Sequence, residues 1–85
     1  MLENIEAFAI GILGGGQRCK ALLEAVFSDE TAEKRTRIVG VFDTDSEAVG
    51  MQYAREKGVF ATTDYRDLFS IEELELLLEQ PAHPA

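Results

Sequence analysis

The chain is poor in the residues that usually build covalent or metal-held frameworks. Cys19 is its only cysteine and His83 its only histidine, which excludes an internal disulfide and a cysteine-built metal site. Both prolines fall within Pro81-Ala82-His83-Pro84-Ala85. Such a segment cannot continue a helix or a central strand, so residues 81–85 read as a linker-like tail behind one module over 1–80. Basic residues are scarce, eight against sixteen acidic ones, for a net charge of −8. That balance argues against nucleic acid and against anionic membrane surfaces. No long apolar run is present: Ala7 to Leu13 is the longest, far below the roughly 18–20 residues that span a bilayer. Met1-Leu2-Glu3-Asn4 places no basic region before a hydrophobic one, so no secretory signal is read and a cytoplasmic location is expected. Glu72, Glu73, Glu75 and Glu79 lack a spacing that would gather them around one ion, and read as a solvated face.

What is present is an ordinary globular composition, 46% hydrophobic, in 85 residues. A chain of this size buries only about 60% of the surface it exposes on unfolding, so its stability depends on close packing or on a partner. Phe8 to Leu13 reads as a buried strand. Gln17 to Phe27 reads as a helix, with Cys19, Leu22, Leu23 and Val26 at three- and four-residue spacing. Ser28 to Thr36 is polar and reads as a loop. Arg37 to Phe42 is a second, β-branched strand closed by Asp43.

Thr44-x-x-Glu47 has the form of a capping box for a helix running to about Lys57, with Gly58 in the left-handed position beyond it. Val59 to Ala61 reads as a short third strand. Asp64 to Phe69 reads as one or two helical turns, with Tyr65, Leu68 and Phe69 facing inward. Leu74 to Leu78 favours helix by propensity, but its place in the order predicts a fourth strand. Alternating strands and helices imply a parallel sheet joined by right-handed crossovers. The expected strand order is 3-2-1-4.

The stretch with ligand chemistry is Ile10-Gly11-Ile12-Leu13-Gly14-Gly15-Gly16-Gln17-Arg18-Cys19. A strand that breaks into glycines and then opens a helix presents unpaired amides and the positive end of the helix dipole. Glycines let a pyrophosphate approach that backbone. Gly14-x-Gly16-x-x-Cys19 departs from the dinucleotide fingerprint at its third position, where cysteine replaces glycine or alanine. A tight strand-to-helix turn would use the same glycines without a ligand. Asp43 stands where a carboxylate would accept hydrogen bonds from a ribose diol, 27 positions after Gly16 rather than the roughly 20 expected. It would equally serve to cap the turn that follows. Arg18 is placed to reach a phosphate or to remain solvated. Cys19, with no histidine near it in sequence, is a packing residue rather than a nucleophile.

With Val39-Gly40-Val41-Phe42-Asp43, Glu56-Lys57-Gly58-Val59 and Thr63-Asp64-Tyr65-Arg66-Asp67-Leu68 added, the chain resembles the N-terminal domain of the glucose–fructose oxidoreductase and inositol dehydrogenase family over roughly Phe8 to Glu79. The resemblance implies a Rossmann-like α/β half domain of three layers and about four parallel strands. It also implies a nicotinamide dinucleotide, NAD rather than NADP, held by Gly14, Gly15, Gly16, Gln17, Arg18 and Asp43. The family's catalysis depends on a glutamate-lysine-proline step after a fifth strand. Glu79-Gln80-Pro81 follows the fourth strand and lacks the lysine, so no catalytic residue is assigned. A second resemblance is to Rossmann-like modules at the front of bacterial sensor kinases, which keep the glycine turn and the acid without hydride-transfer residues.

These readings converge on a dinucleotide-binding, or formerly binding, sensory module of a larger protein that is not catalytic alone. The alternatives are an excised cofactor domain of an oxidoreductase and a ligand-free interaction module. Further domains of a longer chain are expected partners. A homodimer is also expected, because a half sheet leaves the Leu76-Leu77-Leu78 edge open.

Overall fold

A computed structural model describes residues 8–28 and 36–79. The start of the chain, the loop over 29–35 between the first helix and second strand, and residues 80–85 with the tail lie outside the described residues. The elements run β1 (Phe8–Leu13), α1 (Gln17–Ser28), β2 (Thr36–Phe42), α2 (Val49–Glu56), β3 (Ala61–Thr62), α3 (Arg66–Phe69) and β4 (Leu76–Glu79). The four strands form one sheet in the order β3-β2-β1-β4, and every pairing is parallel. This is the α/β half domain of Rossmann type expected from the alternation of elements.

One face carries the main core. Ile10 and Ile12 of β1 and Ile38 and Val41 of β2 pack with Cys19, Leu23 and Val26 of α1 and with Met51 and Ala54 of α2. Ile38 and Val41 are three residues apart, which strict alternation would place on opposite faces. A register shift resolves this: Ile10 pairs with Ile38 but Gly11 pairs with Gly40, leaving Val39 as an extra residue. The bulge resets the pleat so that both side chains reach the same core.

The opposite face is floored by glycine. A Cβ on Gly11 would meet Leu74, Leu77 and Leu68, and one on Gly40 would lie 2.6 Å from Leu68 Cδ2. The missing side chains let the short α3 sink until Leu68 is fully buried. Tyr65 and Phe69, expected inside with it, are instead 54% and 60% exposed. With only four residues α3 presents one side chain to the sheet, and the two rings stack edge-on outside it, Tyr65 also meeting Phe42.

Two further expectations need correction. The helix after Asp43 starts at Val49, and no side chain caps it. The capping box does not form because two alternate aspartates occupy the amides: Asp45 N–H donates to Asp43 Oδ1 at 2.8 Å and Glu47 N–H donates to Asp45 Oδ1 at 2.9 Å. The third strand is Ala61–Thr62 rather than Val59–Ala61. Val59 is spent on the core, and the chain joins β2 only when Phe60 C=O accepts from Val41 N–H. Gly58 does hold the left-handed position after α2, at φ +77°.

Candidate functional site

The parallel sheet delivers the glycine turn and Asp43 to the same end, since both follow the C-terminal ends of neighbouring strands. Gly14 N–H donates to Phe42 C=O at 2.7 Å, extending the β1–β2 pairing by one step beyond the strand. Gly14 then turns at φ +112°, a backbone conformation that side chains rarely adopt. Asp43 joins the two segments directly: Gly15 N–H donates to its Oδ2 at 2.7 Å, while Oδ1 accepts from Asp45. A carboxylate has about four acceptor positions, so two remain for a ligand.

The three glycines therefore have three different reasons to be glycine. Gly14 supplies the turn. Gly15 is buried, and a Cβ there would lie 2.7 Å from Met51 Cγ. Its carbonyl is also taken, accepting from Gly50 N–H at 2.7 Å. Gly16 is exposed, and a Cβ there would meet nothing within 4 Å. Packing within the described chain gives no reason for the missing side chain. The position faces open space at the start of α1, whose first intrahelical bond runs from Lys20 N–H to Gly16 C=O at 3.0 Å. The amides of Gln17, Arg18 and Cys19 precede that bond, as the first amides of any helix do. The Gln17 and Arg18 side chains are exposed beside them.

Cys19 is fully buried. Burial, and secondarily the negative charge of Asp43, push its thiol up to about 11. The thiolate is the reactive form, so this residue packs and does not attack. Its tight neighbour is α2: a Cβ on Gly50 would fall 2.9 Å from both Cβ and Sγ of Cys19, and 2.6 Å from Gly15 C=O. The third fingerprint position thus sets the approach of α2 rather than α1 alone, and Gly50 is the partner that sequence reading missed. Nothing local marks it; it is a glycine in the first turn of a helix, 34 positions after Gly16.

A consequence can be measured. Cys19 is expected to resist iodoacetamide in the folded chain at pH 8 and to react at the rate of a free thiol in urea. Because its folded pKa is raised from 9.0 to about 11, the unfolded chain gives up this proton first. The contribution of the buried thiol to stability is therefore intact below about pH 9 and falls as pH rises toward 11. Fast labelling of the native protein at pH 8 would contradict this placement.

A groove of about 670 Å³ lies along the first half of β2, with Ile38, Val59, Phe60 and Ile71 among its walls. None of the predicted site residues lines it. It arises because β3 is too short to cover the start of β2. Among the described residues, no group of three or more histidine, cysteine or carboxylate side chains could hold a metal ion, and no helix is long and apolar enough to cross a membrane. Neither a family model, nor a curated protein, nor a solved structure matches this chain.

Proposed function

We propose that the chain is a nicotinamide-dinucleotide-binding module, acting as a ligand-binding or sensory part of a larger protein and not catalytic by itself. The observation that carries this reading is Gly16: exposed, with open space where its side chain would be, at the head of a twelve-residue helix and one residue from an amide pinned by Asp43. A ligand-free interaction module would be expected to fill its turn with side chains. Here Met51 backs Gly15, while Gly16 stays open.

The residues present suit the cofactor. The first-turn amides and the dipole of α1 would hold a pyrophosphate, Arg18 would lie beside it, and the two free acceptor positions of Asp43 would take a ribose diol. When bound, the cofactor supplies hydride chemistry; this chain supplies only its binding and orientation. Glu79-Gln80-Pro81 follows the fourth strand and lacks the lysine of the resembled oxidoreductases, so no proton donor is assigned. With NAD or NADH and a panel of sugars or polyols, no change at the nicotinamide absorbance band is expected. Steady turnover surviving repurification would refute the non-catalytic reading.

Binding is tested by titrating the chain with NAD while following backbone amide shifts. Shifts are expected at Gly14 to Arg18 and at Asp43 to Asp45. Gly16→Val is expected to abolish them. Its cost to the fold should be only about 1 kcal/mol, the difference between a good and a poor residue before a helix. A chain that shows no shifts with millimolar NAD, or a Gly16→Val variant that binds equally well, would overturn the reading.

A further inference from the structure

The end of the sheet that carries the glycine turn and Asp43 also carries an aromatic ring. Parallel pairing brings β1, β2 and β3 to that end side by side. Asp43 N–H donates to Thr62 C=O at 3.2 Å, which holds the end of β3 against the acid. The chain then turns, with Asp64 N–H donating to Thr62 Oγ1 at 3.0 Å, and Tyr65 follows directly. Its ring lies 6.2 Å from that of Phe42, the residue before Asp43, and 6.1 Å from that of Phe69, both nearly perpendicular to it. More than half of Tyr65 is nevertheless exposed. The core does not use this ring, since it takes only Leu68 from α3. Nor is the ring flanked by bare charge: Arg66 donates to the Asp64 carboxylate at 2.9 Å, and the Thr62 hydroxyl donates to that of Asp67 at 2.5 Å.

The other side of β1 is built differently. There the register with β4 ends by setting Glu79 against Leu13, the residue before Gly14. From Ser70 to Glu79 the chain carries neither an aromatic ring nor a cation. An exposed ring and a carboxylate with acceptor positions to spare thus stand on the β2–β3 side of the turn. The β4 side offers leucines and a second carboxylate.

We infer that the site takes an adenosine 5′-diphosphate group, its base lying on the Tyr65 ring, and does not read what is attached beyond the second phosphate. The inference rests on the dinucleotide reading of the turn and names which part of the ligand is recognised. Neighbouring strands stand about 4.8 Å apart, so their ends set three contacts in the order of the ligand. The base lies beyond β3 on Tyr65, the ribose diol on Asp43 after β2, and the phosphates on the turn after β1. An aromatic ring suits the base because every base offers it a flat face. ADP-ribose and NAD are then equivalent ligands, and the change of nicotinamide between its oxidised and reduced forms goes unread.

The test titrates the whole chain by calorimetry with NAD, NADH, ADP-ribose and nicotinamide mononucleotide. The first three are expected to agree within about threefold, and the mononucleotide, which lacks the adenosine, to bind at least about tenfold more weakly. ADP-ribose should shift the amides of Tyr65 to Leu68 and leave those of Leu76 to Glu79 in place. Tyr65→Ala should weaken ADP-ribose by about tenfold while leaving inorganic pyrophosphate unaffected, and Tyr65→Phe should bind ADP-ribose as the unmodified chain does. Because the ring lies outside the core, both variants should keep the melting temperature of the unmodified chain. NAD binding tenfold or more tightly than ADP-ribose, a Tyr65→Ala variant of undiminished affinity, or an equal loss of pyrophosphate binding would overturn this inference and leave the dinucleotide site standing. A chain that binds neither NAD nor ADP-ribose would overturn both.

Discussion

Gly50→Ala is expected to remove about 1–3 kcal/mol of stability, a large share of the roughly 4–13 kcal/mol available to a domain of this length. The added methyl would sit 2.6 Å from the Gly15 carbonyl and 2.9 Å from Cys19. The first of these neighbours is backbone and has no rotamer to change. Relief requires α2 to back away, which breaks the 2.7 Å hydrogen bond from Gly50 to Gly15 and loosens the fully buried Cys19 and Met51. Overpacking costs about 1–3 kcal/mol and the lost bond about 0.5–1.5 kcal/mol. Better helix propensity returns only about 1 kcal/mol. The urea midpoint should fall by about 1–3 M. Gly16→Ala, which meets nothing, should barely move it. An unmoved midpoint for Gly50→Ala would show that α2 does not rest on the turn.

Asp43→Ala is expected to destabilise the unliganded chain by about 2–3 kcal/mol, because its carboxylate holds two backbone amides and a hydrogen bond to a charged group is worth about 1.5–3 kcal/mol. Of the two, the half-buried bond to Gly15 should dominate. For this reason Asp43→Asn, which keeps an acceptor, is the better probe of cofactor choice. On the proposed reading the wild-type chain prefers NAD to NADP. A 2′-phosphate about 4 Å from the carboxylate would be repelled by about 4 kcal/mol per unit charge at an effective dielectric near 20. Even a third of that is about a tenfold preference. Asp43→Asn should narrow the gap between the cofactors while leaving most of the stability. Equal affinity of the unmodified chain for both would remove Asp43 from the site.

How much of this could be read beforehand depended on whether the deciding contact was local. β1 begins and ends as expected, since Phe8 to Leu13 is apolar and three glycines stop it. β4 is a strand despite its leucines and glutamates, because the order of elements outweighs their helix propensity. The glycine turn and Asp43 were legible as neighbours, but not their hydrogen bond, which spans 28 residues. The capping box failed through local competition: Asp45 takes the Glu47 amide that Thr44 was expected to serve, and Asp43 takes the amide of Asp45. The inward tyrosine and phenylalanine failed because the length of α3 is set by the fit of Leu68 onto Gly11 and Gly40, which no window around residue 65 contains. Gly50 was invisible for the same reason.

The all-parallel sheet also governs how the chain assembles in time. None of its pairings closes through a hairpin, and the ring each must close differs widely. Val41 meets Ala61 across 20 positions and Phe8 meets Thr36 across 28, but Ile10 meets Leu76 across 66. Closing the longest ring costs about 0.8 kcal/mol more chain entropy than closing β1 on β2, and β4 offers only four residues in return. Nucleation is thus favoured at β1, α1 and β2, with β4 docking last and detaching first. Native-state exchange should register this as faster deuterium uptake at Leu78, whose N–H faces β1, than at Ile12 or Val41. Until β4 docks, the outer side of β1 is itself an unsatisfied edge, so the rate of that last step sets how long the nascent sheet stands open to misassembly.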